Sequence, residues 1–125
     1  MPTQTNPVNW FEIPVSDLKR ATAFYENILN YKLSVNEIGA LKMAWFPMVE
    51  GAPGSTGTLI ESDAYTPSYE GSLVYFSVEN IEAVLEKVKQ NGGKIINGKM
   101  SIGEYGFVAH FEDSEGNRVA LHSNE

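Results

Sequence analysis

The chain carries two histidines, His110 and His122, and no cysteine. Imidazole titrates near neutrality, so either histidine can serve as acid, base or hydrogen-bond partner to a ligand. Disulfides, thiolate zinc sites and cysteine nucleophiles are excluded by composition. Both histidines fall in runs that read as strands, Tyr105 to Glu112 and Arg118 to His122, joined by Asp113-Ser114-Glu115-Gly116-Asn117, a hairpin-turn composition. A hairpin pairing Glu112 with Arg118 sets His110 opposite Ala120, and His122, two residues further on, then faces the same side. A slip of one residue turns His110 away. Glu104-Tyr105-Gly106-Phe107, just upstream, sets a tyrosine beside a flexible glycine, a pair able to close on a ligand.

The elements that must position these groups repeat along the chain. Val8 to Pro14 alternates as a strand. Ser16 then offers an N-cap with Asp17 in the first turn, and Leu18, Ala21, Phe24, Tyr25, Ile28 and Leu29 recur at helical spacing until Asn30, which predicts a helix over 17–29. Tyr31 to Ile38, Leu41 to Val49 and Thr56 to Ser62 read as strands, and Asp63 to Gly71, with Pro67, as a connector. The order then restarts. Ser72 to Val78 is a strand, Asn80 caps a helix with Ile81, Val84, Leu85 and Val88 on one face, Gly92 and Gly93 stop it, and Lys94 to Asn97 opens the last three strands.

Val15, Asp17 and Leu18 correspond to Val78, Asn80 and Ile81, each 63 residues later. A repeat of that length is architecture before it is motif. It predicts an α+β fold of two βαβββ modules within one domain over 8–123: module one 8–62, connector 63–71, module two 72–123. Each helix covers one face of its sheet, and the other face must curl into a cup or pair. Two cups side by side make a cleft.

At 125 residues the chain suits one domain, and six Tyr, six Phe and two Trp can fill a β-rich interior. A net charge of -7 repels phosphate backbones and anionic lipid over a Debye length of about 8 Å, which argues against nucleic acid and membrane as partners. No stretch nears the roughly 20 apolar residues of a membrane span. Met1 to Pro7 lacks the basic start and apolar run of a secretory signal, so a cytoplasmic location is expected.

Phe11-Glu12-Ile13-Pro14-Val15-Ser16-Asp17-Leu18 through Phe24-Tyr25, with Leu29-Asn30-Tyr31, resembles the opening strand and helix of the vicinal oxygen chelate superfamily, the glyoxalase, bleomycin-resistance and dioxygenase group. Phe111 to Arg118 is similar to that family's last hairpin, and with Gly92-Gly93-Lys94 the resemblance spans residues 8–123.

The resemblance implies four inward positions that hold a divalent metal in metal-using members, mapped here onto Trp10, Glu61, Leu73 and Ala120. Only Glu61 offers a donor, and a metal needs at least two or three. No metal cofactor is therefore expected. Glu61, buried in an apolar cup, would have its pKa raised toward a general base's range, and Glu61, His110 and His122 together would form the candidate catalytic set. The family places the loop from Glu104 to Phe107 beside the cleft mouth. Trp10, Phe46, Tyr75 and Phe107 are read first as sheet residues, although aromatics at ligand positions would turn a chelating cup into a stacking pocket. The ligand-binding candidates are thus Trp10, Leu73, Tyr75, Glu104, Tyr105, Phe107 and Ala120.

Three readings stay open: a metal-independent binder of a small, aromatic or amphipathic molecule; a glyoxalase-type lyase or isomerase using Glu61 and histidine; and a structural homo-oligomer with a vestigial cup. Trp, Leu and Ala at three ligand positions favour the first and third. A homodimer is expected, because sheets of this kind leave edges that partner chains cover.

Overall fold

A computed structural model describes residues 6–125; the reading of Met1 to Pro7 as lacking a leader rests mainly on residues outside them. Module one consists of β1 (Phe11–Pro14), α1 (Leu18–Leu29), β2 (Ser34–Ile38), β3 (Leu41–Trp45) and β4 (Gly57–Glu61). Module two consists of β5 (Tyr75–Ser77), α2 (Ile81–Gln90), β6 (Lys94–Ser101), β7 (Phe107–Glu112) and β8 (Arg118–Ser123). The two sheets run β1-β4-β3-β2 and β5-β8-β7-β6, each with its first strand parallel to its last and the rest antiparallel. The repeat in the sequence is thus a repeat of topology, and the fold is α+β as expected.

The helix ends follow side-chain chemistry. The N-cap of α1 is Asp17, whose Oδ1 accepts the Arg20 N–H at 3.1 Å, so the helix starts at Leu18 and Ser16, expected as the cap, lies one residue outside it. Asn30 closes α1 in the left-handed conformation, and Asn80 caps α2 through the Ala83 N–H at 3.0 Å. Gly93 is required by close approach: a Cβ there would meet the Glu112 carbonyl at 2.6 Å. The last three strands differ from expectation at their ends. β6 continues to Ser101, with register shifts around Asn97, and Tyr105, expected to open the next strand, belongs with Glu104 to a short 3-10 turn (Gly103–Tyr105) ahead of β7.

One face of each sheet joins one common core. Ile13, Ala44, Leu59 and Phe46 from module one and Ala109, Phe111, Val119 and Leu121 from module two pack with both helices. Burial of apolar surface at roughly 25 cal/mol per Å² makes this cluster the main stabilising term. Aromatic rings stitch the modules, with Phe76 of β5 lying 5.7 Å from Phe11 and 5.8 Å from Tyr25. Among the described residues no helix is long and apolar enough to cross a membrane.

Candidate functional site

Strand register decides which residues face away from the helices. Glu112 pairs with Arg118 and His110 with Ala120 across the β7–β8 hairpin, while Tyr75 of β5 pairs with Ala120 and Ser77 with His122. Since side chains alternate, Tyr75, His110, Glu112, Arg118, Ala120 and His122 share the face opposite the Phe111 and Leu121 core. Leu73, two residues before Tyr75, precedes the strand on the same parity. Three residues lie in one row: Tyr75, Ala120 and His110. The Tyr75 and His110 rings meet edge to face at 6.1 Å with the small Ala120 between them, itself fully buried. Tyr75 is 49% exposed, so the row ends in an aromatic wall open to solvent.

Hydrogen bonds define the histidines. The Asn97 amide donates to His110 Nδ1 at 3.3 Å, which leaves Nε2 as the protonated nitrogen. His122 donates Nε2–H to the Tyr105 carbonyl at 2.7 Å. That bond ties the 3-10 turn to the sheet, and Gly106, at φ 107°, is needed there because a Cβ would strike the Ser123 carbonyl at 2.3 Å. Glu104 and Tyr105 ride on this turn, exposed to solvent.

Glu61 is placed elsewhere. It pairs with Lys42, next to the Ala44–Leu59 pair of the core face, so it points to the helix side of the first sheet, not to the face shared by the histidines. Its Oε1 accepts the Leu18 N–H at 2.8 Å, making it a second cap of α1. The expectation that Glu61, His110 and His122 line one cup is corrected. The Gly57–Glu61 run is apolar without alternation, and in such a run a one-residue slip is invisible in sequence. Phe107 is corrected for the same reason: it alternates with Val108, packs against the core and has the Lys99 ammonium 4.6 Å over its ring.

Trp10 immediately precedes β1 of the other sheet and meets Trp45 edge to face at 5.8 Å. Of the four positions that the family resemblance maps, Trp10, Leu73 and Ala120 have no lone pair to give and the Glu61 carboxylate is turned toward α1. These residues do not fit a bound metal ion. Among the described residues no three His, Asp or Glu side chains converge as a metal cluster.

The hairpin between β7 and β8 holds what the sequence did not reveal. Glu115 accepts the N–H groups of Ser16 and Asp17 at 2.9 Å each and two bonds from the Arg20 guanidinium. Burial alone would raise the Glu115 pKa, but the bonds from Arg20, Ser114 and the two backbone N–H groups outweigh it and hold the carboxyl below its ordinary value. Asp113 accepts from the buried Tyr25 hydroxyl at 2.6 Å, and Asn117 donates to the Pro14 carbonyl at 2.7 Å. Burial raises the Asp113 pKa against the bonds its carboxylate accepts from Tyr25, Asn117 and the Glu115 N–H. The only sequence signal for this interlock was the turn composition.

Two βαβββ modules sharing a core, each with a helix-free face to its sheet, define a class of small α+β domains. The chain belongs to the Glyoxalase/Bleomycin resistance protein/Dioxygenase superfamily, whose family model matches residues 8–121. It is 30% identical over 122 residues to a glyoxylase-like domain-containing protein of Didymella fabae, covering 91% of each chain. It is similar to the crystal structure of glyoxalase I from Zea mays, with 25% identity and a TM-score of 0.70, and covers 94% of this chain but only 46% of the maize chain. The chain thus spans about half the length of that enzyme. The fold also matches TnmS3, an antibiotic binding protein from Streptomyces sp. CB03234, at 20% identity and a TM-score of 0.68, over 100% of this chain and 99% of that one.

Proposed function

We propose that the chain is a binding protein that holds a small flat or amphipathic molecule on the helix-free face of its second sheet, without a metal. The observation that carries this is the convergence of Tyr75 and His110 at 6.1 Å over Ala120. The two rings close over the buried Ala120, and the shallow notch beside them lets a planar ligand stack on the exposed face of Tyr75 and take a hydrogen bond from His110 Nε2–H. The lack of a donor at three of the four mapped positions, with Glu61 turned toward α1, supports binding over metal-assisted chemistry. The antibiotic-binding neighbour illustrates that this fold can serve binding of a small molecule. Leu73 borders the notch, and the turn carrying Glu104 and Tyr105 provides its rim.

The test is a titration of the protein with planar aromatic compounds, followed by the His110 ring and Tyr75 resonances in NMR. Saturable shifts at both residues, lost in Tyr75→Ala, are expected. Shifts confined to other surfaces would overturn the reading.

A lyase or isomerase is the second reading, favoured by the glyoxylase-like relative. Dialysis against zinc, nickel, manganese and iron, followed by elemental mass spectrometry, separates the two, since retention near one ion per chain would favour the enzyme. A homodimer belongs to the same proposal: β2 and β6 are sheet edges carrying exposed Val35, Ile38, Ile95 and Met100. Sedimentation of a monomer at micromolar concentration would remove it.

A further inference from the structure

On the same face of the second sheet Arg118 and Lys94, which stands across from Glu112, are both without an ion pair among the described residues, and Arg118 is the nearer to Ala120. Arg118 stands one row from Ala120, on the parity of Ala120 and His122. Its Nε–H is buried and has no partner in the protein. No carboxylate of the described residues comes within 4.0 Å of its nitrogens, although acids outnumber bases 16 to 9 in the chain. Glu112, directly across the hairpin, is the obvious counterion, yet its carboxylate takes the Tyr69 phenol at 2.6 Å instead. The backbone of Arg118 is fixed by its N–H bond to the Ser68 carbonyl at 3.3 Å, so the side chain is anchored at its root.

A guanidinium without an ion pair favours a planar anion, because its terminal N–H groups match two carboxylate oxygens and a charge-assisted bond is stronger than a neutral one. The aromatic pair of Tyr75 and His110 over Ala120 begins in the adjoining row, about 7 Å along the strand. We propose that Arg118 receives the carboxylate, or a like planar anion, of a flat ligand whose ring lies in the notch beside that pair, so that the site selects aromatic acids over their neutral counterparts. This rests on the reading of the notch as a binding site.

The experiment is calorimetric titration of the wild-type protein at pH 7.5 and low salt with 2-naphthoate and with 2-naphthamide, its neutral isostere. Naphthoate is expected to bind roughly tenfold more tightly, the preference to vanish in Arg118→Gln with naphthamide affinity unchanged, and the Arg118 Nε–H resonance of the wild type to move on naphthoate addition alone. Equal affinity for the two compounds, tighter binding of the amide, or a preference that persists in Arg118→Gln would overturn the assignment while leaving the notch intact. Binding of neither compound would overturn the notch itself. Should Arg118→Gln fail to fold, the wild-type pair of affinities and the Arg118 resonance decide the matter.

Discussion

The Tyr25 hydroxyl, in the middle of α1, donates to Asp113 Oδ2 at 2.6 Å across 88 residues of chain, and both side chains are buried. This bond joins the first helix of module one to the last hairpin of module two. A buried bond to a carboxylate contributes about 1.5–3 kcal/mol, and removing one partner leaves the other desolvated. Tyr25→Phe is therefore expected to lower unfolding free energy by about 2 kcal/mol in urea titration, with little change in m-value.

Glu115 and Asp113 give opposite pH signatures. The folded-state pKa of Glu115 is lowered, so its stabilisation is present above the ordinary glutamate value of about 4.3 and is lost as pH falls through and below it. Asp113 is raised by burial, so protonation on the acid side favours the folded form at that group. Glu115→Gln should flatten the loss of stability below about pH 4.3, and Asp113→Asn should steepen it. Thermal melts of the three proteins between neutral pH and the acid limb measure both slopes.

Glu61 accepts the Leu18 N–H and stands with Asp17 and Glu115 at the positive end of α1. Glu61→Ala is expected to cost about 1 kcal/mol of stability, the value of a helix cap, and to leave ligand affinity unchanged. A large loss of affinity with unchanged melting temperature would return Glu61 to the binding site.

Ala120 has no exposed surface and lies between Tyr75 and His110. Ala120→Leu, which pushes the Tyr75 and His110 rings out of their edge-to-face contact, should weaken binding of planar ligands by roughly tenfold or more, at a cost of about 1–3 kcal/mol from overpacking. NMR titration alongside urea unfolding separates the two effects.

Much of the architecture was readable because it depends on local chemistry. The spacing from Leu18 to Leu29, the caps Asn30 and Asn80, the Gly92-Gly93 stop and the 63-residue repeat each report on a few neighbouring residues, and the elements form where they indicate. The β7–β8 register was readable too. Its five-residue turn leaves little freedom in the pairing, which places His110 opposite Ala120.

The site was legible only where strands alternate. Trp10, Leu73 and Ala120 lack donor atoms whatever the fold, so the poor prospects for a metal at those positions followed from residue type. Glu61 and Phe107 were misplaced because the direction of a side chain at a strand end depends on pairing with another strand, and Gly57 to Glu61 carries no alternation to reveal it. The sequence sets Arg118 opposite Glu112 at the start of a strand, and only the tertiary structure shows Glu112 bonded to Tyr69 rather than to it. By itself the sequence determined the elements, their twofold repetition and the absence of thiol chemistry, since these reside in single residues and short-range periodicity. Only the tertiary structure decided which carboxylate caps a helix, which ring faces the notch and which cations are left without an ion pair, because each depends on groups brought together from distant parts of the chain.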